Sequence, residues 1–340
     1  MKNIIKNLDK KKLIQNGIIL AIFGLGIHLI LPQIVTLEKS WRVLLNMLPY
    51  AVGLAFLMQV ISYFGNGYLL KKTLEISHKF VALGRSTLIV MGAASISLVA
   101  GGTVGSSAAI FRWTKSGKGS VGGATLASLL PSLFNSLMLV IFSVFGLVHL
   151  FLVHDLSRTQ IIGFSITLIF LGVIIAISIL ASRNRNRAIL AILWISKHWT
   201  RLNRKSFDPA QIQDEAERLF FAWDELWEGK WHYLALGSLI NITFDLLTLY
   251  CLFIASGQNV PFGELLSGYA LPLLLGRLAF VLPGGVGVVE SSMAALYTSL
   301  GIPNATAVVV ILGYRLISFW IPSILGFPIA TYLQNTIKNA

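Results

Sequence analysis

Apolar runs of about 20 residues recur along the chain and alternate with short basic loops. An α-helix of this length crosses the hydrocarbon core of a bilayer. The pattern predicts six spans, which are residues 17–35, 45–70, 121–153, 161–181, 231–255 and 305–333. The fold class predicted from this pattern is an all-α, polytopic integral membrane protein.

A further apolar segment, residues 84–118, is divided by Gly101 and Gly102 into two pieces that are too short to span a membrane comfortably. Lys and Arg mark cytoplasmic loops. The basic loops at residues 71–72 and 183–205 lie on one side only if the segment enters and leaves by the same face. We therefore predict a re-entrant helical hairpin. The alternative is a close helix contact through the GxxxG spacing.

The chain also contains a weak internal repeat. When it is shifted against itself by 182 residues, Gly105 aligns with Gly287 in a second glycine-broken segment, residues 264–300. Three predicted crossings separate the two hairpins, so the second opens to the opposite side, as in many transporters built from inverted repeats. We predict two membrane repeats, residues 1–160 and 161–340.

The second break lies in the sequence FVLPGGVGVVESS, Phe280 to Ser292. Proline and glycine free backbone groups and permit a tight turn. The residues assigned to the turn are Pro283, Gly284, Gly285 and Gly287. We expect a helix to start near Val286, with Glu290 in about its first turn. The amino terminus of such a helix favours an anion.

Four ionisable residues fall within apolar runs of the second half: Asp245, Arg277, Glu290 and Arg315. An unpaired charge at the bilayer centre costs about 2.5–3.5 kcal/mol on insertion scales, which favours mutual pairing. Arg277 and Glu290 lie on opposite arms of the hairpin near its tip, where they can meet. With Asn241 and Tyr314, the four are predicted to bind a lipid head group or phosphate. The alternative is that they only hold the hairpin together.

Composition agrees with a membrane protein, since 55% of residues are hydrophobic and 12% are charged. Soluble domains carry about 25% charged residues. We attribute the formal net charge of +13 to cytoplasmic loops rather than to nucleic-acid binding. The single Cys251 and the absence of an HxxxH pair lead us to predict no metal or cofactor. Basic residues near both ends predict cytoplasmic termini, in the plasma (inner) membrane of a bacterial-type cell.

The polar segment 182–230 has the pattern of two amphipathic helices. The first carries Trp194, Trp199 and basic residues, a combination suited to an anionic membrane surface. The second begins after Asp208 and Pro209, which favour a helix start. We expect a solvated or interfacial arm, and a partner site is the alternative.

The segment LPGGVGVVESSMAALYTSLGIPNATAVVVILGYRLISFWIPSILG, Leu282 to Gly326, resembles the carboxyl-terminal signature of the lysylphosphatidylglycerol synthase transmembrane-region family. The resemblance rests on the Pro-Gly-Gly turn, Glu290, the GIP at 301–303 and the Tyr-Arg pair ending at Arg315. It is specific there and diffuse elsewhere. The family includes the flippase half of multiple-peptide-resistance proteins, so the resemblance implies a membrane protein that moves lipid between leaflets.

Two departures from the family pattern limit what the resemblance implies. Ser106 and Ser107 stand where the first repeat of the family often has an acid, and Leu133 stands at the counterpart of Arg315. The two halves are therefore not chemically equivalent. Only a short tail follows Leu333, so we expect no aminoacyl-transferase domain and no synthesis of lysylphosphatidylglycerol by this chain alone.

The leading hypothesis is a lipid translocase that acts on a phospholipid or a polyprenyl-phosphate-linked lipid, with membrane lipids as its partners. The competing hypothesis is a non-transporting subunit that docks a soluble lipid-modifying enzyme or glycosyltransferase through residues 182–230. An integral membrane enzyme is disfavoured, because no catalytic constellation stands out. No oligomeric state is predicted.

Overall fold

The structure is a computed structural model that describes residues 45–115, 121–153, 231–278 and 283–338, together with scattered positions between 158 and 230. Most of these residues are helical, and no strand occurs among them. The all-α fold class is thus confirmed for the described part of the chain. The predicted spans 17–35 and 161–181 and most of the segment 182–230 lie outside the described residues.

The four continuous ranges form nine α-helices. They are α1 (Pro49–Ile76), α2 (Leu83–Val99), α3 (Gly102–Lys115), α4 (Val121–Val153), α5 (Trp231–Ala255), α6 (Phe262–Leu278), α7 (Val288–Ser299), α8 (Asn304–Arg315) and α9 (Ile321–Lys338). A 3-10 turn, Pro283–Gly285, precedes α7, and a π-helical segment, Leu316–Trp320, joins α8 to α9.

Four stretches are long and apolar enough to cross a membrane: Pro49–Ile76, Gly122–Leu150, Trp231–Ala255 and Asn304–Thr336. They correspond to four of the predicted spans. The last combines α8, the π-helical segment and α9, which follow one another without a break.

Some predicted boundaries were wrong in detail. The helix expected to end at Leu70 continues to Ile76, and its last turns contain the pairs of Lys71 and Lys72 with Glu75, at 3.6 and 2.6 Å. Helix α4 is continuous over Val121–Val153, although Pro131 lies inside it. Proline is tolerated in membrane helices when neighbouring groups satisfy the freed backbone.

Both expected glycine breaks separate two short helices. Helices α2 and α3 contact each other across a turn in which Gly101 and Gly102 have φ angles of 83° and 59°. Helices α6 and α7 contact each other across the Pro283–Gly285 turn. The helix–break–helix form of both segments therefore agrees with the sequence prediction.

The helices pack in an exchanged pattern, in which helices of one half of the chain contact helices of the other half. Helix α1 lies along α5, α2 packs against α9, and α6 packs against α4. Each hairpin thus rests on the long final helix of the other half. The largest buried apolar cluster belongs mainly to α5, α6, α7 and α8, and it includes the fully buried Tyr269, Tyr297 and Tyr314. This packing brings the second break against α2 and α3 of the first half.

Candidate functional site

A cavity of about 360 Å³ lies where the two hairpins meet. Thr103, Ser106 and Ser107 line it from the first hairpin, and Gly284 and Gly285 line it from the second. The second turn also contacts both α2 and α3. The structure therefore brings both helix breaks to one internal space.

The second break is held by a buried ion pair. Arg315 Nε donates to Glu290 Oε1 at 2.6 Å, and the two residues are only 5% and 2% exposed. Arg315 Nη2 also donates to the carbonyl oxygen of Gly284 at 2.7 Å. Its guanidinium lies 4.6 Å from the ring centroid of Phe319. One cation thus ties the turn, α7 and the π-helical segment together.

Glu290 also caps the helix that it begins. Helix α7 starts at Val288, two residues later than expected, because Gly287 has a φ of 86° that no α-helix contains. The Gly287 N–H donates to Glu290 Oε2 at 2.6 Å. The anion expected at this helix amino terminus is therefore the chain's own carboxylate.

The expected contact between Arg277 and Glu290 is wrong, because Glu290 pairs with Arg315 from α8 instead. Arg277 points to α4, where its Nη1 donates to the carbonyl oxygen of Ser132 at 3.1 Å and to Ser136 Oγ at 2.6 Å. It lines the cavity and has no carboxylate within ion-pair distance among the described residues. Its positive charge is thus held by neutral acceptors.

Asp245 lines the same cavity from α5. Its Oδ2 accepts hydrogen bonds from Tyr269 Oη at 2.7 Å and from Tyr314 Oη at 2.6 Å. Tyr314 lies behind the cavity wall as a partner of Asp245, rather than in the lining where the sequence prediction put it. The lining contains one acid and one base, Asp245 and Arg277, among the described residues.

Asn241 joins the two long helices that lie side by side. Its Nδ2 donates to the backbone oxygen and to Oγ of Ser62, at 3.1 and 2.9 Å. Ser62 Oγ is also 2.9 Å from the Asn241 carbonyl oxygen. Asn241 lines the cavity, so it is at once a helix contact and part of the wall.

The six predicted site residues therefore fall into two groups. Asn241, Asp245 and Arg277 line the cavity. Glu290, Arg315 and Tyr314 lie behind the wall and hold the turn or the Asp245 carboxylate.

Several polar residues of the first half were not singled out from the sequence. Gln59, Ser62 and Asn66 line the cavity from α1, and Ser132 and Asn135 line it from α4. The first three recur at intervals of three and four residues, which places them on one helix face. A polar stripe inside an apolar span is the sequence feature that could have identified them.

Two amide oxygens at this site lack a hydrogen-bond partner among the described residues, namely Gln59 Oε1 and Asn135 Oδ1. Asn135 Nδ2 lies 3.4 Å from Asn66 Oδ1, a weak contact between α4 and α1. A buried polar atom without a partner is costly to the folded state. The cavity therefore presents one cation, one carboxylate and several neutral polar groups within an apolar bundle.

Comparisons with known proteins give one consistent result. The family model of the lysylphosphatidylglycerol synthase TM region matches residues 17–326. The UPF0104 membrane protein PH1989 of Pyrococcus horikoshii is 24% identical over 327 residues, which cover 91% of this chain and 94% of that protein.

Two further relatives match over shorter stretches. The UPF0104 membrane protein MJ1595 of Methanocaldococcus jannaschii is 27% identical over 176 residues, or 50% of this chain and 52% of that protein. A UPF0104 membrane protein of Methanothermobacter thermautotrophicus is 38% identical over 89 residues, 26% of each chain. All three are named as membrane proteins.

Proposed function

The chain belongs to the lysylphosphatidylglycerol synthase TM region family, and from this premise we propose that it is a lipid translocase for lipids with a phosphate-bearing head group. The class includes phospholipids and polyprenyl-phosphate-linked lipids. The observation that carries the proposal is a polar cavity at the meeting point of two broken helices, with Arg277 in its wall and no carboxylate paired to it among the described residues.

The chemistry of Arg277 fits a phosphate. A guanidinium has five N–H donors, and Arg277 uses Nη1 on neutral oxygens of α4. The remaining donors match phosphate geometry, and a charge-assisted hydrogen bond is stronger than a neutral one. Thr103, Ser106 and Ser107 of α3 place hydroxyl groups in the same wall, of which Ser106 and Ser107 already donate to the backbone oxygens of Thr103 and Ser128.

We further propose that the two halves are inverted repeats, giving six spans and two re-entrant hairpins with both termini in the cytoplasm. The order of helices supports a repeat, since α1 to α4 recur as α5 to α9 with α8 and α9 together matching α4. Helix α1 begins at Pro49 and α5 at Trp231, the same offset of 182 residues as between Gly105 and Gly287. The exchanged packing, α2 on α9 and α6 on α4, is the pattern that a two-fold axis generates.

The test is a leaflet-resolved assay in proteoliposomes, with a fluorescent phosphatidylglycerol whose outer-leaflet label is chemically quenched. The wild-type protein should move this lipid, and Arg277→Gln should slow it about 10- to 100-fold, since a hydrogen bond to a charged group contributes about 1.5–3 kcal/mol. Arg85→Gln is the matched control, because Arg85 is exposed on α2 and outside the cavity lining. Equal rates in empty liposomes and in wild-type proteoliposomes would refute translocation.

No described contact favours the competing docking hypothesis, since the arm that it uses, residues 182–230, is described only at scattered positions. That hypothesis stays a prediction from the sequence.

A further inference from the structure

The carboxylate of Asp245 is half-buried and has no cation within ion-pair distance among the described residues. It lies on α5, within the stretch Trp231–Ala255 that is long and apolar enough to span a membrane. Its two hydrogen-bond donors are the phenol groups of Tyr269 and Tyr314, which are 0% and 1% exposed. Burying an ionised carboxylate is costly unless it is paired, and protonation removes that charge. Two neutral donors lower this cost but do not cancel the charge.

A charge that compensates Asp245 must come from a side chain on one of the helices packed around it. The charged or titratable side chains that face it are Tyr63 of α1, Tyr269 and Arg277 of α6, and Tyr314 and Arg315 of α8. Helix α4 has one ionisable residue, His149, and it packs against Gly263 at the start of α6. Gln59 of α1 lines the same cavity.

The two cations in this set, Arg315 and Arg277, have different binding partners. Arg315 is bound to Glu290 and to the turn, so its charge is already balanced. Arg277 shares the cavity with Asp245 but is held by Ser132 and Ser136 of α4. The described lining is therefore electrically neutral only while Arg277 and Asp245 are both charged and the cavity holds no ion.

An anionic head group at Arg277 changes this balance. It would leave the described lining with one negative charge in excess, in a region where an uncompensated ion is expensive. Uptake of one proton by Asp245 restores neutrality. Binding of the anion and binding of the proton must then favour each other by the same factor, since linkage is reciprocal.

We propose that Asp245 is a proton-binding site, and that one proton enters the cavity together with each anionic lipid head group. The inference rests on the proposed function, because it assumes that Arg277 receives the head group. It assigns to the Tyr269–Asp245–Tyr314 cluster the role of coupling lipid movement to protons. Zwitterionic lipids, which add no net charge, should not recruit a proton.

Proton uptake on binding tests the proposal directly. The probe is soluble dihexanoylphosphatidylglycerol, added to purified protein in detergent with a pH-sensitive dye and little buffer. We expect uptake approaching one proton per bound lipid and an affinity that falls with rising pH, by at most about tenfold per pH unit for one proton. Dihexanoylphosphatidylcholine should cause no uptake. Binding of the anionic probe to the wild type without uptake would overturn the proposal.

Variants locate the proton. Asp245→Asn should bind the anionic probe without proton uptake and with an affinity that is independent of pH. Glu75→Gln, which removes a carboxylate at the far end of α1, should behave as the wild type. Uptake in Asp245→Asn equal to that of the wild type would place the proton elsewhere and refute the assignment.

If Asp245→Asn fails to fold, Tyr269→Phe provides a second measurement. It removes one donor that stabilises the ionised carboxylate, so the half-point of proton uptake should move to higher pH by about one unit. An unchanged half-point would count against Asp245. Lipid movement without proton coupling would refute this inference alone, whereas proton-coupled binding without movement would refute the translocase function.

Discussion

The two hairpins meet at the same cavity, but they are built differently. The second turn is crowded, since a Cβ on Gly285 would lie 2.7 Å from the Gly276 Cα, and a buried Glu290–Arg315 pair clamps it. The first turn is open, since a Cβ on Gly101 would meet nothing within 4 Å. Within the described residues no ion pair holds it, and α3 is joined to its neighbours by neutral contacts such as the hydrogen bond from Ser107 Oγ to the Ser128 carbonyl oxygen, 3.2 Å, and the packing of the buried Trp113.

This difference indicates that the two broken helices have different roles. A break that is clamped by charge keeps its shape, so it can position Arg277 on α6 beside the cavity. A break that has no charged clamp can change shape at smaller cost. We therefore expect the first hairpin to supply the movement that lipid transport needs, and the second to supply the fixed frame.

The largest effect should come from breaking the clamp. Glu290→Gln leaves Arg315 buried without its partner, and removing one member of a buried pair costs about 3–5 kcal/mol. We expect a large fall in the thermal midpoint of the purified protein, measured in detergent. The double variant Glu290→Gln/Arg315→Met should recover part of it, because no uncompensated charge remains.

The same substitutions distinguish a structural role of Glu290 from a role in lipid transport. The sequence alone suggested that Glu290 handles the head group, with Arg277 as its partner. If Glu290→Gln kept the wild-type thermal midpoint while lipid movement ceased, the clamp would be functional rather than structural. Arg277→Met should not rescue Glu290→Gln, since these residues do not pair.

Crowding at the two turns gives the next effect. Gly101→Ala and Gly285→Ala both place a side chain at positive φ, 83° and 65°, which costs about 1–2 kcal/mol. Gly285→Ala must also displace the α6 backbone at Gly276, and overpacking adds about 1–3 kcal/mol. Gly285→Ala should therefore lower the thermal midpoint clearly more than Gly101→Ala. Equal losses would contradict the contrast between a crowded and an open break.

The contrast also shows what the sequence can predict. The breaks themselves were predictable, because glycine at Gly101, Gly102, Gly284 and Gly285 supplies backbone angles that other residues avoid. The family was predictable from the residues around the second turn, and the comparison with known families confirms it. Both depend on local chain properties.

The partner of Glu290 was not predictable in the same way. Arg277 is closer in sequence and lies on the facing arm of the hairpin, but Arg315 reaches the turn from α8, 25 residues beyond Glu290. Which arginine pairs with Glu290 depends on how α8 and the π-helical segment pack on the turn. The hydrophobic periodicity of the sequence does not report that packing. The cavity was missed in part because Gln59, Ser62 and Asn66 belong to the other half, and only the packing of α1 on α5 brings them to Asp245.

The smallest effect should come from the first hairpin. Ser107→Ala removes the hydrogen bond from α3 to the Ser128 carbonyl oxygen of α4, and such a bond contributes about 0.5–1.5 kcal/mol. Ser106→Ala is the matched control, because Ser106 Oγ donates within its own helix to the Thr103 carbonyl oxygen and holds no other helix. We expect a small loss of thermal stability for Ser107→Ala and a smaller one for Ser106→Ala.

Hydrogen exchange of α3 amides should rise in Ser107→Ala while that of α7 stays unchanged, since the α7 turn is held by Arg315. Faster exchange in α7 as well would mean that the two hairpins open together, and the separation into a moving hairpin and a fixed one would be wrong.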